Sequence, residues 1–227
     1  MVKFVSLKTV GLVCVGLICL VGSIFLVSRG NGDGPAAVSG SSDALAEQVR
    51  ALDARLLKLE SLLAEGEGSG RRYCVNLSVH SLADERFVEW FLTKMEQHST
   101  AARALIFEVS EYSLQLASES LEKLVAESAK WGYEVSIDKF GVAAVPFAYL
   151  QHLSIHYIKV DHSFIRDIQH SRDNQFFLRS VLQIAHGQDI QVIAVGVEFE
   201  EEWDSIEPLG IDGAMGYYLC RPQAHID

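Results

Sequence analysis

From residue 73 onward, short apolar runs alternate with longer amphipathic stretches, and this alternation restricts the chain more than any other feature. The β-rich runs are Tyr73–Val79 (YCVNLSV), Ala104–Val109 (ALIFEV), Tyr133–Asp138 (YEVSID), Ile155–Val160 (IHYIKV), Ile190–Val195 (IQVIAV) and Asp212–Met215 (DGAM). Helical patterns fall between them at Asp84–His98, Leu114–Trp131, Phe147–Leu153, Asn174–His186 and Glu200–Leu209; Gly132, Gly187 and Gly210 close the second, fourth and fifth. Strand, helix, strand at spacings of roughly 20–35 residues predicts parallel strands joined by right-handed crossovers, an α/β sheet or barrel. Six runs are two fewer than a closed eight-stranded barrel needs.

Residues 1–72 are of a different kind. After a short flank (1–8), Thr9–Ser28 (TVGLVCVGLICLVGSIFLVS) is an uncharged, mostly apolar run of twenty residues, long enough to cross a hydrocarbon core of about 30 Å as a helix. A secretory leader has a shorter apolar region and a small-x-small cleavage site. The run here ends Val27-Ser28-Arg29, which favours a retained anchor. Residues 29–42 (RGNGDGPAAVSGSS) form a flexible linker. In 43–65, Leu45, Val49, Leu52, Leu56, Leu59 and Leu63 recur in alternating steps of four and three, the seam of a short coiled coil. Its expected role is a parallel homodimer stalk; a lone amphipathic helix lying on the following domain has the same pattern. Gly66, Gly68 and Gly70 punctuate the second linker, 66–72, and the domain proper is expected at 73–227.

A net charge of −11 argues against a nucleic-acid polymer as partner, because phosphate neutralisation needs a basic face. Cys14 and Cys19 lie in the apolar span. Cys74 and Cys220 lie beyond it without zinc-site spacing and are expected to be reduced core residues.

In parallel α/β folds the C-terminal ends of the strands face the ligand. Those ends carry Asn76, then Glu108 and Glu111, then Asp138 and Lys139, then Lys159 and Asp161, then Val195 and Glu198, then Met215. Carboxylates, an amide and a lysine at one mouth are the hard oxygen chemistry of divalent cations and phosphate esters. Taken singly, each strand-end acid is as well explained as a helix cap or a solvent-facing charge.

Six blocks, YCVNLSVHSL (73–82), FEVSE (107–111), SIDKFG (136–141), YLQHLSIHYIKVDHSFI (149–165), VIAVGVE (192–198) and DGAMGYYLCRP (212–222), resemble in order and spacing those of EAL domains, the bacterial cyclic-di-GMP phosphodiesterases. The resemblance implies a modified eight-stranded α/β barrel that hydrolyses cyclic-di-GMP with two Mg²⁺ or Mn²⁺ ions. By position, Asn76, Glu108 and Asp138 match metal ligands. Lys159 matches the lysine near the attacking water, and Glu111 a glutamate that steadies a neighbouring loop. Asp161 matches a further metal-ligand position, and Glu198 also falls on a family position.

The chain departs from the family at Lys139, where a bridging aspartate is expected, at Val195, where a glutamate is, and at Met215, where a glutamine is. The Glu-Ala-Leu stretch itself has no counterpart. An ammonium in place of a bridging carboxylate removes the charge that holds two divalent ions together. Lys139 is therefore expected to sit among Asp138, Glu108 and Asn76 as an internal counter-ion, with no metal bound and no active catalytic residue. The blocks LIFEVSEYSL and RDNQFFLRS are most similar to the inactive LapD-like and CsrD/MshH-like members. The expectation is thus a single-pass inner-membrane protein of bacteria, inactive as a phosphodiesterase, acting as a cyclic-di-GMP receptor or adaptor. The alternative is a nucleotide-independent scaffold, or a truncated remnant whose barrel a partner protein completes. Lys3 and Lys8 before the span lean toward an exported domain; the cytoplasmic messenger implied by the resemblance places the domain inside.

Overall fold

The computed structural model describes residues 72–97, 99, 105–143 and 145–220. The 9–28 span, the 43–65 helix and both linkers lie outside the described residues. No helix among the described residues is long and apolar enough to cross a membrane.

All six expected strands form: β1 (Tyr73–Leu77), β2 (Leu105–Ser110), β3 (Glu134–Phe140), β4 (Tyr157–Val160), β5 (Gln191–Val195) and β6 (Gly213–Met215). They make one parallel sheet in the order of the chain, β1-β2-β3-β4-β5-β6. Sequential order with crossovers of one hand places every helix on the same face and leaves the opposite face to line an interior, as in a barrel wall.

Alternation along the strands separates the two faces. Val75, Leu77, Phe107, Val109, Val135, Ile137, Ile158, Val160, Val192 and Ala194 belong to the large core beneath the helices. On the other face, Ile106, Tyr157 and Ile193 form a small separate cluster, with Cys74 and Met215 packed against it. Both faces being buried explains why the strands read as continuous apolar runs.

The helices are α1 (Val79–Leu82), α2 (Glu85–Gln97), α3 (Ser113–Leu116), α4 (Ser118–Trp131), α5 (His162–Ile165), α6 (Arg172–His186) and α7 (Glu200–Ile206). The stretch expected as one helix over 114–131 is two, because Ala117 leaves the helical region (φ −139°, ψ 39°). The stretch expected at 147–153 is a 3-10 helix, Phe147–His152, led by Pro146, which offers no side-chain cap. Helix α6 starts at Arg172, ahead of the expected Asn174, because the Ser171 hydroxyl accepts the Asn174 N–H at 3.2 Å.

Helix α2 packs on α4 around a run of rings, Phe87 with Phe91, Phe91 with Phe107 and Phe107 with Tyr133, at centroid distances of 5.7, 5.1 and 5.2 Å. Fully burying a ring such as Phe87 or Phe107 stabilises the fold by about 1.5–3 kcal/mol. The Tyr133 hydroxyl stays satisfied by donating to the Met95 carbonyl at 3.0 Å. Neither Cys74 nor Cys220 forms a disulfide, and Cys220, expected in the core, is exposed. It follows β6 on the turn begun at Gly216, whose carbonyl accepts its N–H, so its side chain has left the sheet.

Candidate functional site

Strand register brings the mouth residues together from the inner face of the sheet. Asn76 pairs with Glu108 and Glu108 with Ser136. Between β3 and β4 the register slips: Ile137 faces Ile158 and Phe140 faces Val160, so Asp138 and Lys139 together stand opposite Lys159. This is a bulge, which re-aims side chains at a strand end.

Lys139 is the residue that absorbs the distortion. It has φ +57°, a left-handed conformation that costs a residue with a Cβ about 1–2 kcal/mol. Replacing it by glycine is therefore expected to stabilise the protein by about 0.5–1 kcal/mol after glycine's own entropy cost. Lys139→Ala keeps the Cβ and should show no such gain. Urea midpoints of the two variants check this.

Glu108 and Lys159 form an ion pair, each side chain only 6% exposed. Burial pushes the Lys159 ammonium below the ordinary lysine range, and the nearby Cys74 works against that shift. Burial likewise pushes the Cys74 thiol up, opposed by the charges of Lys159 and Arg72. The counter-ion expected of Lys139 is thus supplied to Glu108 by Lys159. Lys139 itself is exposed, and its ammonium helps to hold down the pKa of the neighbouring Asp138. The bulge is the reason, because it inserts Lys139 as the extra residue and leaves Lys159 on the inward side.

Asp138 is half-buried. Burial raises its carboxyl above the usual range; the Lys139 N–H and ammonium pull it back, and Asp161 pushes it further up. A carboxyl raised in the folded state is relatively stable protonated, so its penalty is absent below the unfolded pKa and fully present above the folded one. Asp138→Asn is expected to melt at a higher temperature than the parent at pH 7, with the difference closing as the pH falls toward 4; melting curves across that range measure it.

Asp161 caps α5. Its carboxylate accepts the Ser163 N–H at 2.9 Å and lies 3.2 Å from His162 Nδ1. Partial burial would raise it, but the hydrogen bonds from Ser163 and His162 hold it below the usual range. Glu198 is exposed, Val195 is half-buried, and Met215 packs against the inner apolar cluster. Among the described residues, no three His, Cys, Asp or Glu side chains gather closely enough to hold a metal ion.

Glu111 is 1% exposed and organises the loop after β3. Its carboxylate accepts the N–H groups of Gly141, Ala143 and Val145 at 3.0, 2.6 and 3.2 Å. Its own N–H donates to the Asp138 carbonyl at 2.9 Å. The loop turns at Gly141 (φ +100°), where a Cβ would fall 2.5 Å from the Phe164 ring; Phe164 stacks on Phe177 at 4.1 Å.

Sequence reasoning missed Glu202. It is 1% exposed and accepts N–H groups from Asp167, Glu198 and Phe199 at 3.0, 2.8 and 3.2 Å, tying the β5–α7 loop to the turn before α6. A Glu at the third position of a helix is the available signal, but Phe199 in place of a capping Ser or Thr obscures it. Sequence reasoning also missed the lower end of the inner face. There Arg72 donates to the Tyr157 hydroxyl at 2.6 Å and pairs with Glu134.

The EAL-domain family model matches residues 40–222, so the match takes in the heptad-patterned segment placed outside the domain by periodicity. Among curated proteins, the chain is 30% identical over 169 residues to the probable cyclic di-GMP phosphodiesterase PdeG of Escherichia coli, covering 74% of this chain and 32% of that protein. It is 23% identical over 150 residues to the RNase E specificity factor CsrD of the same organism, covering 66% and 23%. The chain spans less than a third of the length of the curated relatives it matches. Among solved structures, the FimX EAL domain of Pseudomonas aeruginosa bound to c-di-GMP superposes with a TM-score of 0.67 at 26% identity, covering 83% of this chain and 76% of that one.

Proposed function

The chain belongs to the EAL-domain family, and on that premise we propose that it is a non-hydrolytic signalling module: a membrane-anchored receptor or adaptor in cyclic-di-GMP signalling. The observation that carries this reading is the bulge that leaves the exposed Lys139, an ammonium, at the position where the family's bridging aspartate is expected.

The remaining donors do not fit a two-metal centre. Lys139 brings a positive charge where a bridging carboxylate belongs, Val195 and Met215 bring none, and Asp161 is engaged in capping α5. Val195 brings no group able to take a proton where a glutamate is expected. Titrating the full-length protein in detergent with cyclic-di-GMP, while assaying for linear product, tests the reading. Saturable binding without turnover is expected. No binding at high ligand would favour the nucleotide-independent scaffold. Metal-dependent hydrolysis abolished by Glu108→Ala would overturn the proposal.

The anchor is the apolar run 9–28, and the domain lies on the cytoplasmic side; the 43–65 seam pairs two copies. Fusing green fluorescent protein at Asp227 should give fluorescent cells. A dark fusion, paired with activity from an alkaline phosphatase fusion at the same site, would reverse the orientation.

A further inference from the structure

Between Arg179 and Arg221 the chain carries eight Asp and Glu residues and no Lys or Arg. Two of the eight serve the fold: Glu202 accepts the three N–H groups described above, and Asp212 accepts the Val192 N–H at 2.7 Å and lies 2.8 Å from His186 Nε2. Glu200, Asp204 and Glu207 serve no such purpose. They are exposed and follow one another at helical spacing along α7 and the turn after it, where like charges repel.

Beside this stripe lie Phe199, Tyr217, Tyr218 and Leu219, exposed by 57, 55, 40 and 40%. The two segments that carry them are locked together. The Met215 carbonyl accepts from Gly196 and Val197 at 2.7 and 3.0 Å, and the Tyr218 N–H donates to Val197 at 3.1 Å. Gly216 lies so close that a Cβ there would fall on the Val197 carbonyl oxygen. The Tyr218 hydroxyl lies within the field of Glu200, Asp204 and Glu207. Aromatic strip and acidic stripe are therefore one surface.

We propose that this surface docks a cationic amphipathic helix of a partner protein. Basic side chains of the helix pair with Glu200, Asp204 and Glu207, and its apolar face covers Phe199, Tyr217 and Leu219. Charge selects this occupant over the others. A second copy placed face to face would set the acidic stripe against itself. A nucleic acid or an anionic membrane would be repelled. The chain's own 43–65 segment carries five acids to three bases and is no better matched.

The test measures binding of a fluorescently labelled Lys/Leu amphipathic peptide to the full-length protein in detergent, with a Glu/Leu peptide as control. Phe199→Ser with Tyr217→Ser removes the apolar strip and leaves every charge. Glu200→Lys with Asp204→Lys reverses the stripe. Each pair should weaken binding by about tenfold or more. Reversing Glu119 and Glu122, exposed on α4, should not. Circular dichroism confirms that each variant is folded. Equal loss from the α4 reversal, or unchanged affinity in the Ser variant, overturns the proposal. So does a dimer seen by sedimentation that the Ser variant dissociates, because the occupant is then a second copy.

Discussion

Replacing Glu111 by alanine is expected to cost about 3–5 kcal/mol of stability, because hydrogen bonds to a buried charged group contribute about 1.5–3 kcal/mol each and three are lost together. The side chain is 1% exposed, and its three donors come from one loop, Gly141, Ala143 and Val145. Water cannot readily replace the carboxylate, so the donors are left unpaired or the loop opens. Glu111→Gln keeps one carbonyl acceptor and should lose about half as much. Urea unfolding measures the free energies, and hydrogen exchange at residues 141–145 should accelerate before that of β3. A loss within about 1 kcal/mol of the parent, the net worth of one ordinary hydrogen bond, would show that the loop is held by something else.

The second large effect is expected at the inner-face ion pair. Lys159→Met alone leaves Glu108 as an uncompensated buried charge, and Glu108→Leu alone leaves the ammonium; either costs about 3–5 kcal/mol. The double variant removes both charges from an environment that already contains Ile106, Tyr157 and Ile193, and should return to within about 1 kcal/mol of the parent. A double-mutant cycle from urea melts reads the coupling directly. Simple additivity of the two losses would mean that the residues do not act as a pair.

Much of the fold was legible in the chain because both faces of its strands are buried. Val192, Ile193 and Ala194 are each fully buried, one face against the helices and the other against the inner cluster, so no polar alternation interrupts the run. The 147–153 stretch misled because its apolar spacing suits one helical turn as well as a full helix, and only the hydrogen bonds after Pro146 separate the two. Glu202 was hidden for a compositional reason. It sits among Glu198, Glu200 and Glu201, and nothing in a run of like residues marks which one turns inward.

The mouth of the sheet divides in the same way. Which residue types gather there, Asn76, Glu108, Asp138, Lys139 and Lys159, follows from counting to the end of each strand, since a parallel α/β sheet delivers those ends to one side. The partnership among them did not follow. Asp138 and Lys139 are adjacent in sequence, and adjacency suggested that Lys139 would serve the carboxylates. Glu108 and Lys159 come from strands with β3 between them, and whether they meet depends on tilt and register. A one-residue bulge decides it, turning Lys139 to solvent and leaving Lys159 against Glu108. Periodicity is a local property and is written in the sequence; charge pairing across a sheet is set by register, which exists only once the strands have found their neighbours.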